Sequence, residues 1–228
     1  MSTRVHGIDP VRVEAAVFDL GGVFLAGGVE SVRAFGLRHG LAPDAWDEIR
    51  SELFHDRGIW SAIERGERPL EDFVTRLCEL AAAHGGGVSD ADARNFMGNT
   101  GEKATQRLRY EIVAATARLH ARMPTALLTN NIPEWRESWR SLLDLDALFD
   151  VVIDSSEVGT RKPEPAIYEL TRVRIGLPHQ ALFFVDDLGV NLKPARALGW
   201  QTLRYDDTAQ VLEVLDLIAA AKPERRAR

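Results

Sequence analysis

The sequence predicts an α/β protein with a mostly parallel sheet covered by helices on both faces, and a helical insert after the first strand. Short apolar stretches alternate with segments of helical periodicity from about residue 105 onward, which is typical of parallel sheets. Residues 29–98 instead show helical spacing without a convincing strand. We therefore divide the chain into an α/β core, residues 1–26 and 99–228, and a helical insert, residues 27–98.

The strands are expected where short apolar, β-prone stretches are followed by polar or turn-forming residues. The first stretch is nearly continuous in apolar character from Ala15 to Phe18, which is typical of a strand buried on both faces. The expected strands cover residues 14–18, 125–128, 151–153, 181–185 and 201–203.

The helices are expected from apolar residues at helical spacing and from residues that favour helix ends. Pro43 and Pro69 can each begin a helix of the insert, and the glycines after His84 end the second one. Ser89 followed by Asp92 resembles a capping box. In the core, helices are expected over residues 108–119, 133–142, 163–173, 191–198 and 207–218.

The composition is that of an ordinary soluble globular protein, with 45% hydrophobic and 27% charged residues. A net charge of −6 argues against nucleic-acid binding, which needs a clustered basic face. No apolar run approaches the ~18 residues of a membrane span, and the first residues lack the apolar stretch of a signal peptide. One cysteine excludes an intrachain disulfide. We expect a cytoplasmic protein that acts on a small molecule. The sequence does not predict the number of subunits.

Unusual polar residues stand at or near the ends of several expected strands. In a parallel sheet the carboxyl ends of all strands lie on the same edge, where α/β proteins bind their ligands. Side chains scattered over the chain can therefore converge there. The residues concerned are Asp19 before two glycines, Thr129 with Asn130, Lys162 in a later loop, and Asp186 with Asp187.

The chemistry of these side chains is complementary. Asp19 and Asp187 offer carboxylate oxygens, which Mg²⁺ prefers. Lys162 supplies a compact positive charge for a phosphate or an attacking carboxylate. Thr129 and the amides around Asn130 can donate hydrogen bonds to phosphate oxygens. Attack by a carboxylate is an established form of covalent catalysis.

Each residue also has a simpler structural interpretation. Asp19 could cap a helix, and the aspartate pair at 186–187 could form a turn. Lys162 could be a solvated side chain, and Thr129 with Asn130 could cap the following helix. The shared placement of all of them at strand ends favours a functional site over these separate interpretations.

The order of these motifs resembles that of the haloacid dehalogenase-like hydrolase superfamily. The segment 185–199 is similar to the N-terminal phosphatase domain of soluble epoxide hydrolases, and segments 16–20 and 158–168 match it too. The resemblance covers nearly the whole chain, more weakly in the insert, and implies a Rossmann-like core with residues 27–98 as a helical cap domain. The motifs are Asp19-x-Gly21-Gly22-Val23, Thr129-Asn130, Lys162-Pro163-Glu164-Pro165 and Asp186-Asp187.

The resemblance also implies residue roles. The reaction would be Mg²⁺-dependent hydrolysis of a small phosphorylated metabolite through an aspartyl-phosphate, with Asp19 as the nucleophile and Thr129 and Lys162 assisting it. The metal would be held by Asp19, the Gly21 carbonyl and Asp187, with Asp186 and Asn191 ordering its surroundings; phosphate would be bound by Thr129, Asn130 and Lys162.

Gly21 departs from the family pattern. Family phosphatases usually carry an aspartate at this position, which protonates the leaving group and then activates water. Glycine cannot move a proton, and loss of a general acid/base typically costs ~10²–10⁴ in rate.

Three alternatives follow. The protein could be a phosphohydrolase that needs good leaving groups, or one that borrows a proton donor from the insert. It could be a carbon–halogen hydrolase, since a halide leaves without a proton, although the aspartate pair favours a metal that such enzymes do not need. It could also be a phospho-ligand-binding module with vestigial catalysis. The candidate donors, each expected at the surface, are His55, Asp56, Glu64 and Glu67.

Overall fold

A computed structural model describes residues 4–96 and 107–224, with the backbone alone for residues 28–31. All strands of its sheet and its core helices alternate along the chain. The strands are β1 (Ala15–Phe18), β2 (Thr125–Thr129), β3 (Val151–Asp154), β4 (Leu182–Asp186) and β5 (Gln201–Arg204).

The described helices fall into two groups. The group between β1 and β2 contains α1 (Gly28–Arg38), α2 (Pro43–Phe54), α3 (Ile59–Glu64), α4 (Leu70–Ala83), α5 (Asp90–Arg94) and α6 (Tyr110–His120). The later group contains α7 (Arg136–Arg140), α8 (Leu145–Leu148), α9 (Ser155–Val158), α10 (Pro165–Ile175), α11 (Gly189–Ala197) and α12 (Thr208–Ala220), with 3₁₀ turns at Pro133–Trp135 and His179–Ala181.

The five strands form one sheet in the order β3-β2-β1-β4-β5, and every pair is parallel. Phe18 at the end of β1 lies opposite Leu127 of β2 and Val185 of β4. The first strand in the sequence is therefore the central strand in space. This arrangement confirms the predicted α/β fold with a parallel, Rossmann-like sheet.

Helices cover both faces of the sheet, as predicted. Ala15 and Val17 of β1 pack in one apolar cluster with Ile167 and Tyr168 of α10. Phe18, on the other face, belongs to a second cluster that contains the apolar sides of α6 and α12. Burial of alternate residues on opposite faces explains why β1 is apolar throughout.

Two core helices that the sequence predicts to begin at a proline begin after that proline instead. The helix expected at Pro163 begins at Pro165, because Glu164 before that proline is extended and the α region is disfavoured there. The Lys162–Pro163 peptide is cis. Pro133 begins a single 3₁₀ turn, and α7 follows from Arg136.

The insert is held together by aromatic packing. Trp60 of α3 contacts Phe73 of α4 with ring centroids 4.8 Å apart, and Phe96 lies 5.4 Å from Phe73. The Ser89 hydroxyl accepts a hydrogen bond from the Asp92 N–H at 3.2 Å, which agrees with the expected cap. The expected boundary between residues 98 and 99 lies outside the described residues. Among the helices that the structure describes, none combines the length and apolar character needed to cross a membrane.

Candidate active site

The candidate site lies at the carboxyl edge of the sheet, on either side of the central strand. Asp19 follows β1 directly, Thr129 ends β2 and Asp186 ends β4. The chain passes from β1 to β2 on one side and β4 lies on the other, so the strand order changes direction here. Such a point leaves a crevice outside the strand ends, where open α/β sheets bind ligands.

Lys162 lies at the centre of the buried charges. Its ammonium Nζ is 2.8 Å from Asp19 Oδ1 and 2.8 Å from Asp186 Oδ2, and the side chain is only 1% exposed. The Asn130 side chain fixes the Lys162 backbone in both directions. Its Nδ2 donates to the Lys162 carbonyl at 2.9 Å, and its Oδ1 accepts from the Lys162 N–H at 2.8 Å. The Asn130 amide group therefore positions Lys162.

Asp186 is tightly bound by its neighbours. Besides Lys162, its carboxylate accepts hydrogen bonds from the Leu188 N–H at 2.8 Å and from Asn191 Nδ2 at 3.0 Å. The carbonyl of Asn191 in turn accepts the Tyr168 hydroxyl at 2.6 Å. These bonds fix the orientation of Asp186 and of the loop that carries Asp187.

Three carboxylates, Asp19, Asp186 and Asp187, form what we call the carboxylate cluster. Each offers one oxygen, and these oxygens all lie within 4.8 Å of one another. Burial raises the pKa of Asp19 well above its ordinary value; Lys162 opposes this, whereas Asp186 and Asp187 add to it. Burial and the neighbouring Asp186 likewise raise the pKa of Asp187 to about 6.

Lys162 offsets only part of this negative charge. Burial alone would lower the pKa of Lys162, but the carboxylates of Asp186 and Asp19 outweigh it and raise that pKa. Lys162 therefore stays protonated, and one ammonium faces three carboxylates. A hard divalent cation with oxygen ligands fits a donor set of this kind and would supply the missing positive charge.

The two glycines after Asp19 meet different constraints. Gly22 has a φ of +76°, and a Cβ atom there would lie 2.2 Å from the Cγ of Asp187. A side chain at this position would displace the carboxylate. Gly21 has no positive φ, and a Cβ there would have no atom within 4 Å. The turn thus requires glycine at 22 and leaves room for a side chain at 21.

The strand ends open into a small cavity of about 80 Å³, which we call the site cavity. Gly21, Thr129 and Asn130 line it from the core. The insert contributes Trp60 and Glu64. Further lining residues are Leu20, Gly22, Leu25, Arg107, Asn131, Ile132, Trp135 and Trp139.

Glu64 is a site residue that the sequence interpretation misplaced at the surface. It is only 8% exposed, whereas His55, Asp56 and Glu67 are exposed as expected. Trp60, one helical turn earlier, donates its Nε1–H to Glu64 Oε1 at 2.9 Å. In the sequence, the position of Glu64 four residues after Trp60 could have indicated that both side chains lie on the same buried helix face. Arg161 Nε donates to Glu64 Oε2 at 2.6 Å. Burial raises the pKa of Glu64, and Arg161 and Trp60 partly oppose this.

Asp154 was also missed, although it follows an expected strand directly. It ends β3 fully buried, and its Oδ1 accepts the Ser156 N–H at 2.9 Å. The neighbouring Ser155 Oγ accepts the Asn131 N–H at 3.0 Å. Asp154 therefore fixes the turn after β3, and Ser155 in that turn binds Asn131, which lines the site cavity. A polar residue directly after an apolar strand was its signal.

A family profile described as haloacid dehalogenase-like hydrolase matches residues 13–199. Among curated proteins, mouse acyl-CoA dehydrogenase family member 10 is 34% identical over 168 residues, which cover 72% of this chain and 15% of that protein. Rat bifunctional epoxide hydrolase 2 is 33% identical over 116 residues, 48% of this chain and 20% of that protein. The chain thus spans a fifth or less of the length of these relatives.

Two further matches extend over nearly the full length of the matched proteins. D-ribitol-5-phosphate phosphatase of Bacteroides thetaiotaomicron is 25% identical over 213 residues, covering 90% of this chain and 98% of that enzyme. A crystal structure of a haloacid dehalogenase family enzyme from the same organism contains magnesium and inorganic phosphate. It matches with a TM-score of 0.62 and 21% identity, covering 87% of this chain and 98% of that one. At that identity the structural match supports the fold alone.

Proposed function

This chain belongs to the haloacid dehalogenase-like hydrolase family, and we propose that it is a Mg²⁺-dependent phosphohydrolase acting on a small phosphorylated metabolite. One observation carries the proposal. The buried Asp19 carboxylate lies 2.8 Å from the Lys162 ammonium and belongs to a carboxylate cluster with an excess of negative charge. A carboxylate nucleophile, a fixed cation and a set of oxygen ligands are the parts that phosphoryl transfer to an aspartate needs.

The metal would be held by Asp19, Asp187 and the Gly21 carbonyl, while Asp186 and Asn191 order the ligands. When bound, Mg²⁺ would offset the negative charge of the cluster and of the phosphate oxygens. Asp186 suits the ordering role because Lys162, Asn191 and the Leu188 N–H already occupy its oxygens. Mg²⁺ prefers oxygen ligands of this type.

The protein groups divide the first chemical step among them. Asp19 attacks phosphorus, the bond to the leaving oxygen breaks, and an aspartyl-phosphate forms on Asp19. Lys162 keeps its charge next to the attacking carboxylate and stabilises the phosphate oxygens. The Thr129 hydroxyl and the main-chain N–H of Asn130 donate to those oxygens, since the Asn130 side chain is bound to the Lys162 backbone.

The insert, residues 27–98, serves in this proposal as a cap over the core formed by residues 1–26 and 99–228. Support comes from the site cavity, which combines Trp60 and Glu64 of the insert with Thr129 of the core. A cavity of about 80 Å³ is small next to pockets of roughly 300–1,000 Å³ for drug-sized ligands. The proposed cap therefore favours a small substrate.

A curated relative supports phosphatase chemistry for this chain. The D-ribitol-5-phosphate phosphatase of Bacteroides thetaiotaomicron matches this chain along nearly its full length. The carboxylate cluster favours a bound metal, which a carbon–halogen hydrolase does not need. Because Gly21 carries no proton, we expect low activity on simple alkyl monoesters unless another group supplies one.

The test is phosphate release from p-nitrophenyl phosphate and from a panel of phosphorylated metabolites, with and without Mg²⁺. We expect Mg²⁺-dependent turnover that Asp19→Asn abolishes, together with a trapped phosphate on Asp19 in the wild-type protein. Asp146→Asn, which changes an exposed aspartate of α8, is the matched control and should retain full activity.

Two results would overturn this proposal. One is binding of a phosphorylated ligand by folded protein without turnover and without a trapped aspartyl-phosphate. The other is chloride release from a 2-haloacid in the absence of Mg²⁺ together with no phosphatase activity.

A further inference from the structure

We infer that Glu64 of the insert is the catalytic proton carrier that Gly21 cannot be. It would protonate the leaving oxygen in the first step and take a proton from water in the second. This inference rests on the proposed phosphohydrolase function and deepens it. It assigns to the insert a group that touches the reacting atoms.

The composition of the site cavity leads to this assignment. Among the described residues that line the cavity, Glu64 is the only one with a carboxyl group. The other side chains there are apolar or aromatic, apart from Thr129, two asparagines and Arg107. None of these exchanges a proton readily near neutral pH, since an arginine stays protonated and a hydroxyl or amide does not titrate there.

The geometry holds the Glu64 carboxyl against the site. Trp60 Nε1 binds one carboxyl oxygen at 2.9 Å, and Arg161 Nε binds the other at 2.6 Å. Arg161 directly precedes Lys162, which contacts Asp19. The insert carboxyl is therefore bonded to the same loop that carries the cation beside the nucleophile. Gly21 lines the same cavity, so Glu64 shares that cavity with the position from which the usual aspartate is missing.

The charges around Glu64 set its proton affinity. Burial raises the pKa of Glu64, and the positive charges of Arg161 and Lys162, with the Trp60 hydrogen bond, oppose this. Arg107 shares the cavity. Arg65, the next residue in the chain, is paired with Glu67 and Glu164. A carboxyl with a raised pKa suits general acid and base work, because such groups act best when the pKa lies nearer the working pH.

The two steps balance as follows. An Asp19 carboxylate oxygen bonds to phosphorus, the bond from phosphorus to the leaving oxygen breaks, and that oxygen takes the proton of Glu64 to become an alcohol. The Glu64 carboxylate then accepts a proton from water as the water oxygen attacks phosphorus. The bond from phosphorus to Asp19 breaks, which yields inorganic phosphate, free Asp19 and protonated Glu64.

The leaving group discriminates this role from a structural one, so we would compare Glu64→Gln with wild type on p-nitrophenyl and alkyl phosphates. An aryl leaving group needs no proton, and the burst of p-nitrophenolate should keep its rate. The following steady state should slow because aspartyl-phosphate hydrolysis lacks its base. Turnover of an alkyl phosphate should fall by ~10²–10⁴. Glu67→Gln, on the exposed side of the insert, is the matched control and should change neither rate.

A second variant tests whether the proton itself is what is missing. Gly21 has open space for a side chain, so Gly21→Asp can restore the usual acid. In the Glu64→Gln background it should recover alkyl phosphate turnover by at least ~10-fold, and Gly21→Asn should not. Glu64→Asp keeps a carboxyl group. Its turnover of alkyl phosphate should be slower than that of wild type but should show the same kind of pH dependence. That variant also serves if Glu64→Gln does not fold.

Three outcomes would overturn the inference. Folded Glu64→Gln with alkyl phosphate turnover within about threefold of wild type would exclude a proton role. If Arg161→Gln reproduces both losses of Glu64→Gln without shifting the pH profile, Glu64 acts through the ion pair alone. If wild type shows no Mg²⁺-dependent turnover, the proposed function fails as well. A working wild type with inactive Asp19→Asn and normal Glu64→Gln overturns only this inference.

Discussion

The carboxyl edge of the sheet and the helical insert build the same cavity in different ways. At the sheet edge, charged side chains are buried and fixed by several short hydrogen bonds each, as Lys162 and Asp186 show. The insert reaches the cavity through one short helix, α3, with Trp60 and Glu64. The geometry of the sheet edge is thus set by strand register. The positions of the groups that the insert adds depend on how the insert packs against the core.

The contacts at the rim show how the insert docks. The Leu70 N–H donates to Glu134 Oε1 at 2.8 Å, and Arg65 Nη1 is 3.0 Å from Glu164 Oε1. Both contacts are partly exposed, and the Arg65–Glu164 ion pair therefore contributes little free energy. The buried pairs of the sheet edge are more costly to break. The comparison predicts that changes at the edge alter folding and chemistry together, whereas changes at the rim of the insert leave folding nearly unchanged. The buried pair of Glu64 with Arg161 is the exception within the insert.

The largest effect is expected for Lys162→Met, which removes the ammonium group at the centre of the sheet edge. It would leave the buried carboxylates of Asp19 and Asp186 without their shared cation. Breaking a buried ion pair in this way costs about 3–5 kcal/mol of unfolding free energy. Loss of the charge next to the phosphate should lower turnover by at least ~10². Denaturant unfolding and kinetics on p-nitrophenyl phosphate measure the two effects.

Lys193→Met is the control for this prediction, because Lys193 is an exposed lysine of α11. It should change the unfolding free energy by less than about 0.5 kcal/mol. Equal stability of Lys162→Met and Lys193→Met would show that the charges at the sheet edge do not depend on one another. The claim that changes at this edge alter folding would then be wrong.

A smaller effect is expected from a matched pair of substitutions in the turn after β1. Gly22→Ala places a Cβ against Asp187 and forces a left-handed φ, which costs about 1–2 kcal/mol for the backbone alone. Gly21→Ala meets neither obstacle and should cost less than about 0.5 kcal/mol. Mg²⁺ titration by calorimetry should show weaker binding for Gly22→Ala than for Gly21→Ala. The reverse order would mean that Asp187 takes no part in metal binding.

Much of the sheet edge could be predicted because strand ends are local features and parallel topology brings them together. An apolar stretch followed by Asp19 or Asp186 fixes the position of the carboxylate without knowledge of distant contacts. The role of the Asn130 side chain could not be predicted, since it depends on a loop 32 residues away. Burial of Glu64 likewise depends on how α3 packs against the core. Helical periodicity places a residue on a face but does not identify the partner of that face.

The smallest effect is expected for the pH dependence of stabilisation by Mg²⁺. This measurement tests whether the sheet edge alone holds the metal or whether the insert is also needed. The pKa of Asp187 is raised to about 6 in the folded protein, above its unfolded value. Its contribution to stability is therefore present at low pH and is lost as the pH rises through 6. Above pH 6 the ionised group can bind Mg²⁺, and below pH 6 a proton competes with the metal.

We expect Mg²⁺ at about ten times its Kd to raise the Tm by about 3–6 °C at about pH 7.5 and by less at about pH 5. Asp187→Asn should lose this difference, whereas Glu64→Gln should keep it, because Glu64 belongs to the insert and lies outside the carboxylate cluster. Loss of the difference in Glu64→Gln would mean that metal binding depends on the insert as well as on the sheet edge.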